Sequence, residues 1–351
     1  MIDIINTVEA FERLKPEWEA LERNPSLRIF QTYAWCRTAW DCYVSKERSP
    51  RLWILRWHQD GKEDVVIFPF YIDGEGCLRF IMDTHSDVCD SVHSDKCANR
   101  HWAYKEASDK IRENTTIKSV FLQKMSGLGE ALNYFSILLP GSVVSRDHAF
   151  SWLISERTNE FIAGQSQFKR KDRDRLKSIL RASEHFDFRI LSAKNHDQFP
   201  QNDIVALRKW MIGKSRADDA FISDNMVSFA KTLYEMGRIE LSVLCDGDGI
   251  CALAFRLLKE TRINFWIVLY KDSKLPTEMY LRYMQEKAKE QRYVFDFGVG
   301  AYGYKLQTFR PEIAVTFSIR YANGIVRQLL GLMSANIRLL KDLLKPRLKK
   351  H

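Results

Sequence analysis

The sequence predicts an α+β (α/β) fold made of two tandem units, each a mixed, mainly antiparallel sheet flanked by helices. Three observations carry this. A chain of 351 residues suits two ordinary domains. A hydrophobic share of 45% is enough for full cores and argues against disorder. Each half also runs through the same succession of helices, antiparallel strands, helix and strand.

The first half opens with helical periodicity in VEAFERLKPEWEALER and TYAWCRTAWDCYVSK. The strand-like runs RLWILRWH, DVVIFPFYI and GCLRFIM come next, separated by the turns QDGK and DGEG as in a meander. IKSVFLQ then reads as a strand, GEALNYFSIL as a helix and DHAFSWLIS as a strand. The second half begins with the basic helix FKRKDRDRLKSILRAS, the strand FDFRILS and the helices IVALRKWMIGKS and SDNMVSFAKTLYEMG. A hairpin turns at Asp246-Gly247-Asp248-Gly249, and the loop KDSKLP leads into the helix TEMYLRYMQEKAKEQ. YVFDFG and AVTFSIRYA are further strands, before a closing helix. These signals place the units at 1–155 and 156–325, with a basic amphipathic helix over 326–351.

The net charge of +9 is uneven. Beyond Val326 stand Arg327, Arg338, Lys341, Lys345, Arg347, Lys349 and Lys350 against Asp342 alone, a net of +6. A body of about +3 argues against DNA as a partner, disfavours tRNA, and points to a local anionic partner at the C-terminal end. Val326, Leu329, Leu330, Met333, Ile337, Leu340 and Leu344 form one apolar stripe there, read either as a helix on anionic lipid or as one packed on the body. No run of 18 apolar residues spans a membrane, and the opening MIDIINTVEAFERL does not read as a signal peptide. The seven cysteines fit free thiols in a reducing compartment. The expected location is cytoplasmic, peripheral on the inner membrane face.

The stretch YVFDFGVGAYGYK has the Gly298-x-Gly300-x-x-Gly303 spacing of a dinucleotide-binding loop. The required setting is strand, glycines and helix, with an acid ending the next strand. Here Pro311 interrupts any following helix and AVTFSIRYA has no acid, so the spacing alone does not make a nucleotide fold. His85, Cys89, His93, Cys97 and His101 recur every four residues, yet the segment is poor in helix formers and lacks a Cys knuckle. No metal is expected.

Taken as a set, Pro276, Phe295, Asp296, Gly300, Tyr304 and Lys305 resemble the C-terminal signature of the CelD-like acetyltransferases, a branch of the GNAT superfamily with two tandem GNAT-like halves. The resemblance extends to Trp18, Phe30 and Trp35 at the start, to the KRKDRDRLK helix, and to the LSVLCDGDGICALAF strand pair. Leu275-Pro276-Thr277 stands where the family usually has Ser-Pro-Gly. The resemblance implies acetyl-CoA or a longer acyl-CoA as co-substrate, its pyrophosphate held at a helix start by Lys271, Ser273, Lys274 and Thr277. It places Asp296, Tyr304 and Lys305 in one catalytic cleft as carboxylate, phenol and cation. Arg170, Arg173 and Arg175 are candidates for a phosphate-bearing substrate, with a solvated helix face as the other reading. Asp87 and Asp90 match an Asp-bearing substrate loop of the family.

The implied activity is transfer of an acyl group to an amine of a cell-envelope sugar, polysaccharide or lipid precursor, so the partner is a small-molecule or lipid-linked acceptor. Two alternatives stay open. One is a relative of the Fem aminoacyltransferases, which share the tandem architecture and draw on aminoacyl-tRNA. The other is a silent scaffold in polysaccharide assembly.

Overall fold

The computed structural model describes residues 1–59, 64–154, 169–182, 184–214, 222–247, 249–300, 305 and 309–322. The chain forms two compact units: Met1–His148 with the part from Ala314 onward, and Ala149–Ile313. Both are mixed α/β, with sheets flanked by helices.

The first unit starts with β1 (Ile2–Ile5), α1 (Val8–Arg13) and α2 (Lys15–Leu21). The single helical pattern expected here is two helices, because Pro16 falls in the first turn of a new helix while Leu14 closes the old one. After α3 (Tyr33–Cys42) come β2 (Arg51–Leu52), β3 (Ile54–His58), β4 (Val65–Phe68), β5 (Phe70–Ile72), β6 (Cys77–Phe80) and β7 (Val92–His93). These strands do not form the expected simple meander. β1, β3, β4 and β7 make one sheet, whereas β2, β5 and β6 belong to another. The switch falls at Pro69, between β4 and β5, where a residue without an N–H ends one ladder and its carbonyl accepts from Ile81 of the next (2.8 Å).

A helix absent from the sequence expectation, α4 (Arg100–Glu113), carries the chain to β8 (Ser119–Ser126), which runs parallel to β6. Such a parallel pair requires a crossover. α5 (Glu130–Leu138) and β9 (Val143–Ile154) come next, and the last strand, β15 (Glu312–Ala322), pairs antiparallel with β8. The core joins Phe68, Phe70, Phe80, Tyr104, Leu122, Phe135 and Ile319. Trp18 and Trp35 are fully buried, their indole N–H groups donating to Gln31 O (2.9 Å) and Ser86 Oγ (3.1 Å). With Phe30, which meets Trp35 edge-on at 4.9 Å, they are packing residues of this unit.

The second unit holds Ala149–Ile154 of β9, α6 (Arg170–Ala182), β10 (Asp187–Ser192), α7 (Gln201–Gly213), α8 (Asp224–Glu235), β11 (Ile239–Asp246), β12 (Gly249–Lys259), β13 (Arg262–Tyr270), α9 (Leu275–Glu290) and β14 (Val294–Val299). Its sheet order is β10-β11-β12-β13-β14-β9. The expected hairpin is the first half of a three-stranded meander, β11-β12-β13. Phe265 stacks on Tyr280 of α9 (4.8 Å), while the neighbouring Trp266 meets Phe229 of α8 (6.0 Å), so helices flank the sheet on two sides. Under α9 the Arg256 guanidinium is fully buried, 4.2 Å from the Phe265 ring centre and 4.7 Å from that of Tyr280.

Candidate active site

β13, α9 and β14 form a strand-helix-strand unit in which the two strands run parallel. Pairing covers only Arg262↔Val294, Ile263↔Phe295 and Asn264↔Asp296. β13 then continues to Tyr270 on its other partner, β12, while β14 breaks register. Because the strands are parallel, their carboxyl ends lie at the same end of the unit as the loop into α9. Crevices beyond such strand ends are where α/β sheets bind ligands.

The register break is built from the glycines that imitate a dinucleotide fingerprint. Asp296 pairs with Trp152 and Val299 with Phe150, so two residues of β14 face one of β9. Gly298 has φ +69° and Gly300 φ +98°, in the region where a side chain is strained. Gly300 N–H donates to Ala149 O at 2.7 Å, which holds the strand end. Gly303 lies outside the described residues.

Asp296 is fully buried, with Oδ1 accepting from Gly298 N–H (3.0 Å) and Oδ2 paired with Arg262 Nη1 (3.3 Å). Lys305 is 5% exposed, and its Nζ donates to Phe297 O (2.6 Å) and Val299 O (3.2 Å). The structure therefore gathers Asp296 and Lys305 on the same bulged strand end; Tyr304 lies outside the described residues. Arg262 is the member that pattern reading misses. It stands 34 residues before Asp296 at the base of the parallel pair, and nothing local in sequence links the two.

The loop before α9 carries Lys271, Ser273 and Lys274 exposed, and Thr277 is half-buried in the first turn of α9. Asp272 caps it: Lys274 N–H donates to its Oδ1 (2.9 Å) and Leu275 N–H to its carbonyl (3.2 Å). Pro276 has no N–H, so Asp272 already holds two amides at a helix start where an anion would bind. Behind the loop, Lys271 N–H donates to Cys251 O (2.9 Å), and Cys251 packs with Leu275 and Met279.

Arg170 and Arg175 are exposed on α6 and Arg173 is half-buried. The helix seats Leu176 in the core that includes Tyr280 and Met284 of α9. Its Asp172 pairs with Arg310 (2.7 Å).

Asp87 and Asp90 belong to the first unit. Asp87 is buried; Asp90 accepts from Ser91 N–H (2.8 Å) and the Tyr104 hydroxyl (3.4 Å). Burial pushes the Asp90 carboxyl up to about 6, against stabilising hydrogen bonds and the nearby His93, with Glu130 adding to the rise. The His/Cys series around it disperses. The His85 ring lies 5.1 Å from that of Tyr43, Cys89 bridges to Met125, and His101 sits on α4. Among the described residues no group of three such side chains could hold a metal ion. No described helix is long and apolar enough to cross a membrane; the stripe beyond Val326 lies outside the described residues.

Residues 166–306 match the family model described as an acetyltransferase (GNAT) domain. No curated protein matches the chain. Among solved structures it resembles FemX (11% identity, covering 94% of this chain and 99% of that one, TM-score 0.56). It also resembles the C-terminal DUF2156 domain of a protein named as a lysylphosphatidylglycerol synthetase from Agrobacterium fabrum (11%, 93% and 96%, TM-score 0.55). A tandem GNAT protein from the clavulanic acid biosynthesis pathway is similar as well (10%, 93% and 99%, TM-score 0.51). At such identities the likeness is one of fold. The segment holding β13, α9 and β14 thus lies within the stretch that matches a GNAT acetyltransferase domain, in a chain folded like FemX and a tandem GNAT protein.

Proposed function

We propose that this chain is an N-acyltransferase that takes an acyl group from acyl-CoA and places it on an amine of a sugar, polysaccharide or lipid precursor of the cell envelope. The observation that supports it most is the β13–β14 pair, which stops pairing at Asn264↔Asp296 within the segment that matches a GNAT domain. A gap between parallel strands leaves main-chain groups to hydrogen-bond an extended, amide-bearing donor arm. The loop from Lys271 to Thr277, at the same end, supplies two ammonium groups and two hydroxyls for a pyrophosphate. We assign Asp296, Tyr304 and Lys305 to the acyl end of this site and Arg170, Arg173 and Arg175 to phosphate-bearing substrate.

The transfer forms a C–N bond and breaks a C–S bond. The amine must lose a proton and the thiolate must gain one. The envelope acceptor rests on the sequence resemblance to CelD-like acetyltransferases and on the lipid named for one structural neighbour. A basic stripe beyond Val326 suits an acceptor at an anionic membrane surface.

Calorimetric titration with acetyl-CoA, longer acyl-CoAs and free coenzyme A tests the donor. Saturable binding of about one molecule per chain is expected, in the micromolar range usual for substrates. No heat with any of them, together with transfer from aminoacyl-tRNA, would replace this reading by a Fem-like one, which the overall likeness to FemX favours as the second choice.

A further inference from the structure

The bulged end of β14 is tied by three side-chain bonds within the ten residues from Asp296 to Lys305, and by a fourth to Arg262 of β13. A register break removes strand carbonyls from the ladder, and buried carbonyls need donors. Phe297 O and Val299 O, on either side of Gly298, find theirs in one ammonium group, that of Lys305. A lysine ammonium has three N–H donors, so two of the three are committed to main chain. Asp296 is committed in the same way, one oxygen to the Gly298 amide and the other to Arg262 at the base of the parallel pair.

We propose that Lys305 and Asp296 are positioning residues: Lys305 gathers the carbonyls of the β14 bulge, Asp296 anchors the start of the bulge to Arg262 of β13, and together they set the shape of the opening that receives the acyl donor, without moving a proton themselves. The effect on the donor rests on the acyl-CoA reading above; the clip that the two residues form does not.

The experiment uses the full chain with Lys305→Met and Lys305→Arg, reading amide hydrogen exchange over residues 294–300 and steady-state kinetics with acetyl-CoA. For K305M, exchange at Phe297 to Gly300 is expected to rise about ten-fold or more, with K305R within about three-fold of the native chain. K305M should raise the KM for acetyl-CoA about ten-fold while kcat at saturation stays within about three-fold and the pH profile keeps both limbs. Unchanged exchange in K305M overturns the clip. Loss of kcat at unchanged KM, with one limb of the pH profile gone, overturns it in favour of proton transfer by Lys305. If K305M does not fold, Lys305→Gln takes its place, since its amide is one bond shorter than the ammonium group and falls short of the two carbonyls; fast exchange there supports the clip and native exchange overturns it. A native chain that binds no coenzyme A refutes the acyl-CoA reading, and the exchange measurements still decide the clip.

Discussion

Among the described residues each unit of this chain holds one parallel strand pair joined by a helix, β6–α4–β8 in the first and β13–α9–β14 in the second. In both, pairing is brief, ending at Leu78↔Val120 and at Asn264↔Asp296. Past the last paired residues the two units differ. In the first unit the chain fills the place beside β8 itself: Cys89 bridges in parallel to Met125 and donates its N–H to Lys124 O at 2.9 Å. In the second unit, among the described residues, no strand takes that place on the β13 side; the end of β14 is held by main chain on the β9 side and by the side chains of Asp296 and Lys305. Closure by main chain satisfies the ladder permanently. Closure by side chains leaves strand edges for something else. One supersecondary unit thus serves as a filled core element in one place and as a candidate donor cleft in the other.

The strongest way to break this contrast is Gly300→Val. A β-branched residue at φ +98° is strained by about 1–3 kcal/mol, so the melting temperature should fall by several degrees. Coenzyme A binding, measured by calorimetry, should weaken at least about ten-fold. Native affinity in a folded variant would detach the bulge from the donor.

A smaller effect is expected on the closed side. The segment that fills the first gap puts Asp90, next to Cys89, where burial raises its carboxyl from 3.8 to about 6. Its folded value lies above its unfolded one, so its contribution to stability is fully present below about 3.8 and is lost as pH rises through about 6. Asp90→Asn should therefore match the native chain near pH 4 and exceed it by about 3 kcal/mol well above pH 6. Thermal melts across pH 4 to 8 measure this; a constant offset between the two chains would show that Asp90 is not the group responsible.

The smallest change concerns the loop before α9. Asp272→Asn removes a carboxylate from a helix start that is proposed to hold pyrophosphate. The like-charge term is worth about 0.3–1 kcal/mol, a two- to five-fold tightening of coenzyme A at low salt. Weaker binding in this variant would mean that the cap shapes the loop more than its charge repels the ligand.

The fold was largely legible because strong patterns mark most elements: β-branched and aromatic runs give β11 to β13, and amphipathic stripes give α8 and α9. α4 was not legible, since its inward face is Ala103, Tyr104, Ala107, Ser108 and Ile111, with one large aliphatic side chain among them, on a helix rich in charge. Without α4, the parallel β6–β8 pair and its likeness to β13–β14 could not be read. The exchange of strands between two sheets at Pro69 is likewise a matter of long-range pairing that no local pattern encodes. At the site, the glycines showed that a special backbone was needed, and their surroundings excluded the nucleotide fold. What Asp296 and Lys305 touch was not readable, because Arg262 is distant in sequence and the partners of Lys305 are carbonyls, which every residue has.

β15 gives the chain a particular order of assembly. It is the last strand described, yet Ile319 and Tyr321 complete the core of the unit that begins at Met1, and Thr316 pairs with Ser126. During synthesis Ser126 leaves the ribosome roughly 190 residues before its partner, a wait on the order of ten to forty seconds at usual elongation rates. The second unit, contiguous from Ala149 to Ile313, has a shorter wait, with Phe150 emerging roughly 150 residues before its partner Val299. The N-terminal unit is thus made first and finished last, and until then the free edge of β8 is a place where a chaperone, or another nascent chain, can bind.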